Sequence, residues 1–210
     1  MILHGYWRSG AAYRVRIGLA LKGLAYSQVN HDLRTGEQAA PDYARLNPQR
    51  LIPALEVDGV VLTQSVAILE WLDERFPEPP LMPSDANGRA IVRAMMMAIA
   101  ADIHPLHNMR ILKSLKKDFG QDEAHSNAWV GRWMADGFAA LETLIERHGD
   151  GFAYGATPTL ADCLIVPALY SANRFGVDVT PYPRLVAAGA ATAARTTSAH
   201  PSRQPDADPA

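Results

Sequence analysis

Arg8, Ser9 and Gly10 stand where a short, partly apolar stretch, "ILHGY", gives way to a helical pattern, "AAYRVRIGLALKG". A turn there aims several unpaired backbone N–H groups at one spot, and the helix dipole adds to their pull, so the species held should be an anion. Ser9 has two readings. Its hydroxyl either donates a hydrogen bond to a thiolate and lowers the thiol pKa, or it forms the turn and caps the helix.

Three further places carry chemistry. Ile52-Pro53 leads into a strand, where a proline does not complete a central ladder; a turn, in one form with a cis bond, leaves the neighbouring backbone free to pair with a peptide-like ligand. Gln64-Ser65 opens a helix, where an amide and a hydroxyl side by side can hold an amino-acid carboxylate, although capping explains Ser65 as well. "DIHPLHNMRIL" and "ANRFGVD" carry His104, His107, Asn108, Arg110 and Arg174. His-x-x-His around a proline has no assured third ligand, so no metal site is expected. Arginine stays charged and meets a carboxylate as a fork, so Arg8, Arg110 and Arg174 could jointly hold a dicarboxylate if the two halves fold together. Each arginine taken alone reads as a solvated surface group.

The elements that must position these residues are legible from pattern. A strand covers residues 2 to 6. A helix runs from about Ala12 to Lys22, apolar on most sides, with Gly23 as its left-handed cap. A weak strand near Tyr26 to Asn30 precedes a polar loop, "RTGEQAAPDYARLNPQR". Leu55 and Val57, then Val60 and Leu62, alternate about Asp58-Gly59, a two-residue hairpin signal. The helix after Ser65 ends at "PEPP". From "LMPSDANGR" onward strand signals vanish. A helical stretch from Asp85 to Phe119 is kinked at Pro105, a second long helix holds Trp129, Trp133, Leu141 and Ile145, and a third begins at "TPTLAD". There Thr159 and Asp162 have capping-box spacing, which makes Asp162 a folding device rather than a catalyst. The pattern implies an α/β domain over 1–81 and an all-helical domain over 87–210. The proline-rich last dozen residues read as loosely ordered.

The chain has 210 residues, 48% of them hydrophobic and 20% charged, with a formal net charge of -2. That balance offers no footprint for nucleic acid. No apolar run approaches the ~20 residues of a membrane span, and the N-terminus has neither a signal nor a transit pattern, which makes the cytosol the default location. Cys163 is the single cysteine, so no intramolecular disulfide or CxxC centre exists, and its apolar setting reads as a buried, inert thiol.

With these residues in view, the sequence resembles the glutathione S-transferases. "WRSGAAYRVRIGLALKG", "LNPQRLIPALEVDGVVLTQSVAILEWL", "DIHPLHNMRIL", "TLAD", "RFGVDVTPYP" and "HPSRQPDA" together look like the zeta class, which contains maleylacetoacetate and maleylpyruvate isomerases. The match runs from Ile2 to about Tyr182 and resumes at the tail. The resemblance implies a thioredoxin-like N-terminal domain, an all-α C-terminal domain, a homodimer, and glutathione as coenzyme. It places Ser9 at the glutathione sulfur and Ala11 where many members have cysteine. Gly10 replaces a second serine, which puts in doubt any mechanism needing a second hydroxyl or an enzymic thiol. Gln38, Ile52, Pro53, Gln64, Ser65, His104, Asn108 and Arg110 match glutathione-binding positions, while Arg8, Arg110 and Arg174 match arginines that hold the carboxylates of a small dicarboxylate substrate. The implied activity is glutathione-dependent cis–trans isomerisation of maleylacetoacetate or maleylpyruvate, with Ser9, Arg8 and Arg110 catalytic. A transferase that conjugates or dehalogenates small electrophilic acids, and a non-catalytic binding protein with the same fold, are the alternatives.

Overall fold

The computed structural model describes residues 1–207. They divide into two compact units, Met1–Leu81 together with the segment from Ala193 onward, and Met82–Thr192. The first holds a four-stranded mixed sheet in the order β2-β1-β3-β4. β1 (Ile2–Gly5) pairs in parallel with β2 (Ser27–Asn30) and antiparallel with β3 (Ala54–Val57), which turns through Asp58-Gly59 into β4 (Val60–Thr63). Both turn residues have positive φ, 49° and 78°, as a type I′ hairpin requires. Between the strands lie α1 (Gly10–Leu21), α2 (Pro41–Leu46) and, after β4, α3 (Ser65–Arg75).

Leu3, Val15, Leu19, Leu55, Ile68 and Leu72 form the core that joins sheet and helices. α1 and α3 meet closely at Gly18, where an added Cβ would lie 2.4 Å from the Leu69 Cδ2. Any larger residue there would force the Leu69 side chain to move. α2 lies in what the sequence pattern marks as loop. Its six residues are too few for a periodic signal, and it is held by Pro41 in its first turn and by buried Tyr43.

The second unit contains α4 (Ala86–Met97), α5 (Met109–Lys117), α6 (Glu123–His148), α7 (Leu160–Arg174) and most of α8 (Pro183–Arg195). Around Pro105 the expected kink is a longer interruption, with a π-helical turn over Ala98–Ile103 and a 3₁₀ turn over His104–His107. Cys163 is fully buried in α7. Asp162 is also fully buried and acts as the capping residue expected: its carboxylate accepts from the Thr159 amide (2.7 Å), the Thr159 hydroxyl (2.9 Å) and the Ala153 amide (2.9 Å).

Two expectations about the C-terminus are corrected. Residues 183–195 form α8, an alanine-rich helix that the pattern reading passed over. The tail, as far as the described residues reach, is ordered rather than loose: it makes 3₁₀ turns at Thr197–Ala199 and Pro201–Arg203 and groups with the first unit instead of the helical one. Residues 208–210 lie outside the described residues.

Under the sheet, His4 on β1 joins Glu56 (2.5 Å from its Nε2) and His31 (2.9 Å from its Nδ1). The Tyr43 ring covers His31 at 4.3 Å between centroids. One proton can be shared between the two imidazoles, whereas a second would set N–H against N–H. Burial, then the neighbouring His4, depress the His31 pKa, and Glu37 opposes them only in part. A lowered folded-state value means that the unfolded chain binds more protons at acid pH. The contribution of neutral His31 is therefore complete above the ordinary histidine value of about 6.5 and is lost as pH falls through the lowered one. The urea midpoint is expected to drop between pH 7 and pH 5, and His31→Asn to flatten that drop; an unchanged slope in the variant would remove His31 from the account.

Candidate active site

α1 begins at Gly10 with Ser9 as its N-cap, in extended conformation, and the Ser9 hydroxyl oxygen accepts from the Ala12 amide at 3.2 Å. Capping and chemistry are compatible here. The oxygen uses an acceptor site on Ala12, which leaves its O–H proton available to an anion. The amides of Gly10 and Ala11 add two more donors. The carbonyls that would precede them in helical register are engaged elsewhere: Tyr6 O accepts from the Ser9 amide (3.0 Å), and Trp7 O from the Arg16 guanidinium (2.9 Å). Ser9, Gly10 and Ala11 thus present one hydroxyl and two N–H groups at a positive helix end. The Arg8 guanidinium lies over the Trp7 ring, 5.4 Å from its centroid.

The opening of α3 is built differently from the capping reading. Its N-cap is Gln64, not Ser65, and no side chain caps the helix. The first-turn amides therefore stay free for a ligand carboxylate. Gln64 has φ 68° and ψ 115°, a region that side-chain-bearing residues seldom occupy, and its side-chain Nε2 donates to Gln49 Oε1 at 2.7 Å. Strain of this kind persists only where the surroundings impose it. Ser65 is buried, and its hydroxyl oxygen accepts from Arg14 Nη1 at 3.2 Å. Because a guanidinium only donates, the Ser65 proton is directed elsewhere, as with Ser9. Burial pulls the Arg14 pKa down to about 10, so it remains a cation at neutral pH, 4% exposed, behind the helix mouth.

Ile52 precedes β3 and lies outside its ladder, and the Ile52-Pro53 bond is cis. The Leu51 carbonyl before it accepts from Tyr43 Oη (2.7 Å) and Asn47 Nδ2 (2.6 Å), which ties this turn to α2. Gln38 sits in a 3₁₀ turn, Glu37–Ala39, and its Oε1 is buried with no hydrogen-bond partner. An orphaned buried acceptor is costly unless a ligand donor meets it. The donor set of this unit fits an anionic, peptide-like thiol: free amides at two helix ends, two hydroxyls poised to donate, a strand edge at Ile52 and an unmet acceptor at Gln38.

In the second unit Asn108 caps α5, its Oδ1 accepting from the Arg110 amide (3.0 Å) and the Ile111 amide (3.3 Å). Its carbonyl oxygen therefore serves the helix, and its NH₂ group is the part open to a ligand. Trp129 Nε1 donates to Leu106 O at 2.8 Å and anchors the turn that carries His104 and His107. The His107 ring meets both His104 (5.2 Å) and Phe175 (5.9 Å) edge to face, and the Arg174 guanidinium covers Phe175 at 5.4 Å. The 104–107 turn and the end of α7 are thereby brought together. Arg110 and Arg174 are both exposed.

Pattern reading missed Arg14. The signal was present: a cation between Tyr13 and Val15, in a helix apolar on most sides, has no wet face to occupy. Its acceptor lies 51 residues away, which no local pattern shows.

Comparison with known proteins agrees with this construction. Residues 8–75 match the glutathione S-transferase N-terminal domain. The chain is 47% identical to a maleylpyruvate isomerase of a Ralstonia species, over 98% of this chain and 99% of that protein. A holo structure of maleylpyruvate isomerase, a bacterial glutathione S-transferase in the zeta class, superposes with a TM-score of 0.96 at 46% identity, covering 99% of this chain and 100% of that one. A maleylacetoacetate isomerase from Anaeromyxobacter dehalogenans, with dicarboxyethyl glutathione and citrate bound in its active site, superposes with a TM-score of 0.87 at 45% identity, covering 99% and 97%. A helix end with unpaired donors, a strained Gln64 before Ser65 and full-length likeness to these isomerases lead to one conclusion: the chain belongs to the zeta-class glutathione S-transferase family, with a thioredoxin-like N-terminal domain and a helical C-terminal part.

Proposed function

We propose that this protein is a glutathione-dependent cis–trans isomerase of maleylpyruvate or maleylacetoacetate. The observation that carries the reading is the state of its two site hydroxyls: Ser9 and Ser65 each have an acceptor position taken by an obligatory donor, so each offers its proton to an anion. Glutathione, when bound, supplies a thiol whose anion can add to an electron-poor carbon–carbon double bond and leave after rotation about the resulting single bond, so that it is regenerated. One such relative has been solved with dicarboxyethyl glutathione and citrate in its active site.

The residues of this chain do the rest. The Ser9 hydroxyl and the Gly10 and Ala11 amides stabilise negative charge on sulfur. Ser65 and the α3 amides hold the γ-glutamyl carboxylate, Gln38 and the Ile52 backbone hold the peptide, and His104, Asn108 and Arg110 complete the coenzyme contacts. The role of stabilising the charge that develops on the substrate's ketone oxygen, which is larger in the transition state than in the ground state, is given in this reading to Arg8 or Arg110. Arg174 holds the distal carboxylate. The homodimer and cytosolic location implied by the resemblance are part of the same proposal, and no described helix is long and apolar enough to cross a membrane.

The test is turnover of both cis substrates on a catalytic amount of glutathione. Many turnovers per glutathione are expected; stoichiometric consumption into a thioether would make the protein a conjugating transferase. Ser9→Ala is expected to lower kcat roughly ten- to hundredfold, the worth of one hydrogen bond to a charged group, without abolishing it. Complete loss of activity with intact glutathione affinity would contradict this role of Ser9.

A further inference from the structure

The turn that presents Arg8 and Ser9 is held in part from the other end of the chain. The Trp7 amide donates to the Asp206 carboxylate at 3.1 Å, across 199 residues. Arg16, fully buried on α1, donates to Trp7 O at 2.9 Å, to Tyr6 O at 3.4 Å and, through Nε, to Ala199 O at 3.0 Å. Trp7 is therefore gripped on both its flanking peptide groups, once by the tail directly and once by a guanidinium that the tail also engages. The segment itself is well braced. Buried Gln204 donates to Ser198 O and His200 O, both at 3.1 Å, and the His200 ring meets Tyr13 of α1 edge to face.

Neither a sheet ladder nor a helical bond reaches the Trp7 N–H, so Asp206 is its partner in the described structure. The second Asp206 oxygen has no hydrogen-bond partner among the described residues, so the Trp7 amide is the one hydrogen bond this carboxylate makes there.

We propose that the segment Ala199–Asp206 is a positioning element for the reaction, in which Asp206 through the Trp7 amide and Arg16 through the Trp7 carbonyl set the direction in which the turn between β1 and α1 presents Arg8 and Ser9. The inference rests on the roles given above to Arg8 and Ser9. It goes beyond them by making the chain's last turn part of the machinery that aligns them.

The experiment uses the full chain with Asp206→Ala and Asp206→Asn, the latter keeping an oxygen that can accept from the Trp7 amide. Three quantities are read: amide hydrogen exchange over residues 5–12, the ionisation midpoint of bound glutathione followed by thiolate absorbance, and kcat. Asp206→Ala is expected to speed exchange, move the thiol midpoint up toward that of free glutathione, and lower kcat roughly ten- to hundredfold, the cost of a misplacement of about 1 Å. Asp206→Asn is expected to stay near the parent in all three. Should Asp206→Ala fail to fold, Asp206→Ser, whose hydroxyl is too short to reach, removes the same contact. Unchanged exchange, or faster exchange with midpoint and kcat unmoved, overturns the proposal, as does an Asn variant no better than Ala. If the parent ionises the thiol and Asp206→Ala loses that property, yet neither cis substrate is isomerised, the reaction assigned above falls and the positioning role stands.

Discussion

Arg8→Ala is expected to lower kcat/KM for the cis substrate about thirty- to a thousandfold, the equivalent of roughly 2 to 4 kcal/mol of transition-state binding. Arg8 lies in the turn one residue before the capping serine and its guanidinium rests on the Trp7 ring, so it can act on substrate without disturbing the core. Glutathione affinity, measured by titration without substrate, is expected to change little, because the contacts proposed for the γ-glutamyl end are Ser65 and α3. Arg8→Lys should recover only part of the loss: a point charge replaces a fork that matches an oxygen pair. Equal losses in glutathione affinity and in kcat would move Arg8 from the substrate to the coenzyme.

Asp162→Ala carries the largest expected effect on stability. Three donors, two of them backbone amides, converge on a carboxylate with no solvent exposure. Truncation strands all three where water does not reach, for an expected loss of roughly 3 to 5 kcal/mol in unfolding free energy. For a chain of this size that corresponds to a Tm lower by about 6 to 20 °C. Thr159→Ala removes one donor rather than the hub and should cost nearer 1 kcal/mol. Thermal unfolding of the two variants side by side separates a capping hub from an ordinary cap; equal shifts would remove the distinction.

The site was partly legible because several of its parts are local devices. Ser9 before an apolar helix, Asp58-Gly59 between alternating strands and Thr159 three residues before Asp162 each act within a few positions, and the structure forms all three. Ser65 was harder. Serine at a helix start reads as a cap, and only its position at the first helical residue, with Arg14 behind it, shows that its oxygen serves a buried guanidinium. The short α2 and the alanine-rich α8 escaped for a different reason: the first has too few turns to show a period, and the second has too few large apolar residues to mark a face.

By itself the sequence determined most of the order of elements, the Asp58-Gly59 hairpin, the two helix starts whose amides could meet an anion and the arginines available for carboxylates, since each follows from residue type or from interactions spanning one turn or one hairpin. Tertiary structure alone decided which partners the buried polar groups meet. Arg14 finds Ser65 at a separation of 51 residues, His4 finds His31 at 27, and the Trp7 amide finds Asp206 at 199. A buried donor accepts whichever oxygen the packed chain delivers to it, and that choice is made by the fit of α1 against α3 and the tail rather than by any neighbour in sequence.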